Sequence, residues 1–293
     1  MEEIHLPVLL EEVIHWLAPV DGGIYVDANL GMGGHSAAIL KKSSPSGRVI
    51  GFDWDKDAIE LARVNLAPFG SRVTFVRSNF IRVKDVLGEQ GIKGVNGLLL
   101  DLGLSSLQLD RPARGFSFRE KGFLDMRMDD RTGVTAADLI NGEDEAELAD
   151  LFYYYGGERQ ARRIASYVVK ERRQGRIVTT DQLADLVARA IPKRFHPKKI
   201  HVATRVFQAL RIAVNRELEN LEKILADVTD ILLPRGRVCI ISFHSLEDRL
   251  VKRVFRDNAD LQILTRKVVT PGCDEIRINP RSRSARLRVA VRQ

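Results

Sequence analysis

The sequence predicts an α/β fold, a largely parallel sheet with helices on both faces, interrupted by a helical insertion. Three observations predict it. Before Asp101, short β-branched runs alternate with amphipathic stretches. From about Thr135 to Leu233 the alternation gives way to helical periodicity alone. Strand character then returns at Arg237 and again near the C-terminus. Alternating strands and helices specify parallel pairing, because each crossover must return along a helix.

Taken in order, Ile24-Tyr25-Val26-Asp27, Arg48 to Asp53, Val73 to Val76 and Val95 to Leu100 read as four strands. Ser36 to Lys42, Lys56 to Leu66 and Phe80 to Leu87 are the amphipathic stretches between them. The insertion offers helices at Ala136–Asn141, Glu143–Tyr155, Glu158–Arg173, Thr180–Ala190, Ala203–Arg211 and Glu217–Leu233. Thr180 with Asp181 marks a helix start. Pro234 and Gly236 punctuate the chain before a fifth strand at Arg237–Phe243. A helix at Ser245–Asp257, with Ser245 and Asp248 as its cap, is followed by a hairpin-like pair, Leu261–Val269 with Ala285–Val291. The expected domains are therefore residues 1–107 with 213–293, and an insertion at 108–212.

Charge is distributed unevenly. The chain has 293 residues and a net charge of +7. Glu158 to Arg211 holds 14 Lys/Arg against 4 Asp/Glu, and Ile276 to Gln293 holds six Arg and no acid. The remainder is acidic, so two basic clusters point to a polyanionic partner, nucleic acid above all. No apolar run approaches the roughly 18 residues of a membrane span. Cys239 and Cys273 lie far apart without a CxxC, which excludes a zinc framework and suits a reducing compartment. No metal is expected.

Asp27-Ala28-Asn29-Leu30-Gly31-Met32-Gly33-Gly34-His35-Ser36 joins the first strand to the first helix. Glycines there let backbone approach a ligand at a helix N-terminus. Asp53, at the tip of the second strand, is placed to accept hydrogen bonds from ribose hydroxyls. The spacing fits NAD or S-adenosylmethionine. The loop is not GxGxxG, and Asp27 would repel a pyrophosphate but suits a cationic sulfonium. S-adenosylmethionine is the expected cofactor.

Asp101 to Asp129, DLGLSSLQLDRPARGFSFREKGFLDMRMD, abandons periodicity after the buried fourth strand. Open α/β sheets keep their chemistry at such a position. Phe116 and Phe118, following Arg114, would stack a flipped base, or else pack the insertion's core. Asp125, Arg127 and Asp129 would brace the loop by ion pairs, or one carboxylate would orient a substrate.

With HLPVLLEEVIHWL, DANLGMGGHS, DLGLSSLQLD, RGFSF, LDMRMD, ATRVFQALRIAVNREL, ISFHSLEDRLVK and NPRSRSARLR, the chain resembles the bacterial small-subunit ribosomal RNA cytosine-N4 methyltransferases, the RsmH/MraW family. The blocks run from His5 to Arg288 in that family's order. Leu107, Lys121, Phe123, Val202 and Ala28-Asn29 depart from its usual residues. The resemblance implies a Rossmann-like class I methyltransferase sheet and S-adenosylmethionine held by Gly33, Gly34, His35, Asp53, Phe80, Asp101 and Gln108. It implies methylation of one cytidine in the decoding region, on 16S rRNA or the assembled 30S subunit in the cytoplasm, with no membrane partner.

The exocyclic amine of cytosine is a weak nucleophile, because its lone pair is delocalised into the ring. Direct in-line transfer needs the amine aligned and its protons accepted. Asp101 is the natural acceptor, and a backbone carbonyl from Gly103 to Ser105 a second, so Asp101 and Ser105 are the expected catalytic residues. No covalent intermediate is needed, and neither cysteine has the setting of a nucleophile. Arg205, Arg211 and Asn215, on a helix returning towards the sheet, are placed to face RNA, while Ser242 and His244 are secondary substrate contacts.

Overall fold

The computed structural model describes residues 7–104, 106–109, 111–131 and 133–293. Seven strands form one sheet in the order β3-β2-β1-β4-β5-β7-β6. They are β1 (Ile24–Asp27), β2 (Arg48–Asp53), β3 (Val73–Arg77), β4 (Val95–Asp101), β5 (Leu232–Ser242), β6 (Leu261–Ile263) and β7 (Arg286–Arg292). The first five pair in parallel, while β7 runs antiparallel between β5 and β6.

The run Leu98-Leu99-Leu100 shows why β4 lacks the polar alternation of a half-exposed strand. Leu98 and Leu100 join one apolar core with Leu221, Leu225 and Val228, whereas Leu99 joins another with Val13, Leu17 and Tyr25. A strand buried on both faces needs an apolar residue at every position. The two covers are α11 (Glu217–Ile231) on one side and α1 (Leu10–Leu17) on the other. The sheet's other helices are α2 (Gly34–Lys42), α3 (Lys56–Leu66), α4 (Val83–Glu89), α12 (Ser245–Asp257) and α13 (Cys273–Ile278).

The chain divides into two compact units, one running to Gly103 and resuming at Leu218, the other Leu104–Glu217. These joins fall a few residues outside the expected ones. The second unit keeps its extra C-terminal residues because its last helix continues to Asn215 and Arg211 pairs with Glu217 at 2.7 Å. Its helices are α5 (Ser106–Leu109), α6 (Ala136–Gly142), α7 (Glu145–Tyr154), α8 (Ala161–Arg172), α9 (Thr180–Ala190) and α10 (Thr204–Asn215).

Three local expectations need correction. Strand β5 begins at Leu232, not Arg237, and its register against β4 shifts between Val95 and Gly97. Pro234 has no N–H to give a ladder, so the chain bulges there instead of ending. Gly236 is required in that bulge, since a Cβ would lie 2.7 Å from the Leu233 carbonyl and 2.9 Å from that of Val95. Strand β6 stops at Ile263 because the Thr265 hydroxyl takes over a ladder position, accepting from the Val289 N–H at 3.0 Å. Helix α9 starts at Thr180, as expected, with Thr179 at its cap position. The cap of α12 is His244, one residue before the expected Ser245.

The loop after the 3-10 turn Pro112–Arg114 is wired to α10 through Asn215. Its amide oxygen accepts from Met128 N–H at 2.8 Å, and its amide nitrogen donates to the carbonyls of Met126 (2.8 Å) and Arg211 (2.9 Å). Met126 is buried with φ +62°, a left-handed conformation costly for a side chain, so the loop depends on these bonds. Replacing Asn215 by Leu leaves the Met128 N–H and Met126 carbonyl without this partner. The expected loss of unfolding free energy in a urea titration is about 2–4 kcal/mol. A loss within experimental error of zero would show that the amide is not the anchor.

Candidate functional site

Strand order reverses between β1 and β4, and ligands of open α/β sheets bind beyond the carboxyl ends of strands at such a switch. Three carboxylates end three neighbouring strands there: Asp27 on β1, Asp53 on β2 and Asp101 on β4. Register forces the grouping, since Asp27 lies opposite both Gly51 and Leu99.

Asp27 is buried and accepts from the Ser36 hydroxyl at 2.7 Å, which ties β1 to the first turn of α2. Asp53 holds the glycine loop: its Oδ2 accepts from Gly31 N–H and its Oδ1 from Asp55 N–H, each at 2.9 Å. Gly31 and Gly33 have φ of +52° and +84°, so the loop needs glycine for its turn. Gly33 and Gly34 also serve close packing, because a Cβ on them would lie 2.8 Å from Leu66 and 2.4 Å from Pro7. That packing is a second reason for the glycines, beyond approach to a ligand.

His35 is buried in the first turn of α2. Its Nε2 lies 2.9 Å from the Val8 carbonyl and its Nδ1 lies 3.6 Å from Asp101 Oδ2. The segment carrying Val8 is fixed further by Leu9 N–H, which donates to Glu275 Oε1 of α13 at 2.8 Å. These contacts join residues far apart in sequence, and no local pattern signals them.

Burial raises all three carboxyls. Asp27 is pushed up to about 6, with the Ser36 hydrogen bond opposing the rise. Asp53 is pushed up to about 7 by burial, against the hydrogen bonds from Asp55 and Gly31. Asp101 stands well above the usual carboxylate range, through burial first and then the charges of Asp27 and Glu247. Asp27 Oδ1 and Asp101 Oδ1 are buried and have no hydrogen-bond partner among the described residues. Such a set has no Lys or Arg and, at these two oxygens, no donor among the described residues. The sulfonium and ammonium of S-adenosylmethionine supply positive charge and donors, so the residues present fit that cofactor.

Phe80 is buried in the core with Val26, Ile50 and Phe52, at the head of a short 3-10 turn capped by Asn79. Gln108 is buried in α5 of the second unit, and Ser105 lies outside the described residues. Within the second unit, Arg114 donates to the carbonyls of Arg127 (3.0 Å) and Met128 (3.1 Å), and its guanidinium is 6.0 Å from the Phe116 ring centre. Phe116 is only 7% exposed. Phe118 packs on His201 and edge-on against Phe207, with ring centres 4.6 and 4.8 Å apart. Asp125 pairs with Arg127 through two bonds, at 2.7 and 2.8 Å, and Asp129 pairs with Arg131. Arg211 is engaged by Glu217, whereas the Arg205 side chain is 40% exposed and 3.9 Å from Glu158. Sequence reasoning overlooked the exposed aromatics of this unit, Tyr153, Tyr154 and Phe195. The helix carrying Tyr153 and Tyr154 was legible, but which of its faces stays uncovered is decided by tertiary packing, and Phe195 lies in a short 3-10 turn with no periodic signal.

Beyond β5, Glu247 Oε2 accepts from Phe243 and His244 N–H, while the His244 ring accepts from Glu247 N–H. Asp248 instead binds Arg288 at 2.6 Å and Arg286 at 3.0 Å. Burial pushes Asp248 up, but these arginines outweigh it and hold its carboxyl below the usual value. Cys239 is buried in β5, with its thiol pushed up by burial, and Cys273 is exposed at the head of α13.

Comparison with known proteins adds an independent finding. A sequence profile of the MraW methylase family matches residues 2–293. The chain is similar to the Ribosomal RNA small subunit methyltransferase H of Desulfotalea psychrophila, 58% identical over 289 residues, covering 99% of this chain and 98% of that protein. Proteins of the same name from Cyanothece sp. and Geotalea uraniireducens are 52% and 48% identical, over 99% and 98% of this chain and 95% and 97% of theirs.

The raised carboxyls give cofactor binding a pH dependence of definite sign. Below about pH 6 both Asp27 and Asp53 carry protons that a cationic ligand must displace. Above about 7 both are ionised and affinity levels off. Calorimetry of S-adenosylmethionine binding should show affinity rising severalfold between pH 5.5 and 8, with proton release that shrinks across the range. Affinity that is flat or falls with pH would contradict the assignment.

Proposed function

This chain belongs to the MraW methylase family, and from that premise we propose that it methylates the N4 amine of one cytidine in small-subunit ribosomal RNA. It is an S-adenosylmethionine-dependent methyltransferase. The observation that carries the N4 reading is Asp101, a half-buried carboxylate at the end of β4 whose Oδ1 is buried and unengaged among the described residues. The cofactor supplies an electrophilic methyl group on a positively charged sulfur. The remaining work belongs to protein side chains.

Asp27 and Asp101 offset the cofactor's positive charge, Asp53 accepts from its ribose, and Gly33, Gly34 and His35 shape the loop beneath it. Phe80 and Gln108 complete its surroundings in this reading. As the amine nitrogen forms its bond to the methyl carbon, the carbon–sulfur bond breaks and the amine must shed one proton. An anionic Asp101 accepts that proton, which keeps the nitrogen lone pair localised during attack. Methylation at C5 would need a thiolate nucleophile, and Cys239, buried with its thiol pushed up, and Cys273, exposed at the head of α13, offer none.

RNA docking falls to the second unit. Arg159, Arg162, Lys193, Arg194 and Lys198 are exposed there, as are the rings of Tyr153, Tyr154 and Phe195, the last lying under the Arg194 guanidinium at 4.8 Å. Cations interleaved with aromatics suit phosphates and unstacked bases. Arg114, Phe116 and Arg211 take the supporting part, holding the loops that Phe118 and Arg205 would present. The assembled 30S subunit is the proposed substrate, in the cytoplasm.

Labelled methyl transfer to unmodified small subunits, followed by nucleoside mass spectrometry, tests the reading. The expected product is N4-methylcytidine, formed on subunits and not on duplex DNA. Label at C5 or on another base would overturn it. Asp101→Asn should lower kcat by about 10²–10⁴-fold while binding of S-adenosylhomocysteine persists.

A further inference from the structure

The contact between His35 and Asp101 has a chemical direction. The Val8 carbonyl can only accept, so the His35 nitrogen 2.9 Å from it, Nε2, carries the hydrogen. In the neutral ring Nδ1 then bears the lone pair, and it faces Asp101 Oδ2 at 3.6 Å. That separation is longer than a hydrogen bond, so the pair is poised rather than closed. Both groups are shielded, with side-chain exposures of 7% for His35 and 23% for Asp101. A carboxylate facing a lone pair repels it, while a carboxylic acid facing it is attracted. A proton that arrives on an anionic Asp101 is therefore held between Asp101 and His35.

We propose that His35 is the positioning residue for Asp101: its ring, pinned by the Val8 carbonyl, receives the proton that Asp101 takes from the substrate amine. The inference rests on Asp101 being the amine's proton acceptor. The bookkeeping closes. The amine nitrogen gains the methyl carbon as the carbon–sulfur bond breaks, and the sulfur keeps that electron pair and becomes neutral. The amine's surplus proton passes to an Asp101 oxygen, and Asp101 Oδ2–H then donates to His35 Nδ1. The positive charge lost from sulfur is matched by the negative charge lost from Asp101, and the His35–Asp101 pair ends neutral with the proton. No water or exogenous base is required.

The other charged groups around the pair favour this outcome. Asp27 on β1 and Glu247 on α12 act on Asp101, and Asp53 acts on Asp27's side of the site. All are carboxyls, so an extra proton is retained in their field. The His244 ring pairs with Glu247, at 3.2 Å, and leaves Asp101 to His35.

The test is His35→Gln, whose terminal amide can still donate to the Val8 carbonyl but presents nothing in the place of Nδ1. On small subunits its kcat should fall about ten- to a hundred-fold at saturating cofactor, with KM for the subunit within about twofold. The acidic limb of its kcat–pH profile should move to lower pH, because a lone carboxyl holds the proton less tightly than the pair. Unchanged kcat and limb in a variant that binds S-adenosylhomocysteine overturns the proposal. Asp101→Asn separates the two readings. If it silences transfer while His35→Gln is normal, only the role of His35 fails. If it transfers normally, the acceptor reading fails and takes His35 with it. Should the glutamine variant not fold, imidazole nitrogen NMR decides on the wild-type chain: the His35 titration must shift in Asp101→Asn, and an identical titration in both overturns the coupling.

Discussion

A sheet covered on both faces leaves chemistry only its edges. Leu98 and Leu100 are sealed beneath α11 and Leu99 beneath α1, so no charged side chain can emerge along the middle of β4. Any polar group with a task must wait until the strand ends. At the carboxyl end of the switch this restriction acts on three strands at once, and Asp27, Asp53 and Asp101 arrive together. The same apolar cover that stabilises the sheet also desolvates the carboxyls at its rim.

Gathering like charges is unfavourable, and the protein offsets only part of the cost from within. Asp27 has a hydroxyl and Asp53 two backbone N–H groups, but no Lys or Arg pairs with either of them or with Asp101 among the described residues. Contrast Asp248 nearby, where two arginines satisfy one carboxylate. Structural carboxylates in this chain are given cations. Those at the switch have no such cation among the described residues, the distribution on which the proposed cofactor site rests.

Much of this was legible in the residues. Strands β1 and β2 and helix α12 occupy the expected spans, because β-branched runs and a 3.6-residue repeat report burial locally. Asp27, Asp53 and Asp101 were legible for the same reason: each closes a strand. The bulge through Pro234 was not, because Pro and Gly read equally as an end or as an irregularity, and only β4 opposite decides. Nor was the cap of α12. Serine is the commoner cap, and His244 takes the place because Glu247 reaches back to its N–H. The Val8–His35 and Asn215–Met126 bonds escaped entirely, since periodicity carries no information about partners so distant along the chain.

The strap formed by Val8 and Leu9 has a temporal consequence. Val8 anchors the ring beside Asp101, yet Leu9 is itself anchored by Glu275, a residue 266 positions later. Strand β7, which closes the sheet against β5, comes later still. During synthesis the N-terminal strands emerge and fold first, but the strap gains its tether only when almost the whole chain has left the translating ribosome. A nascent chain therefore carries an unfinished site throughout its own manufacture. The completed chain alone holds His35 from both sides.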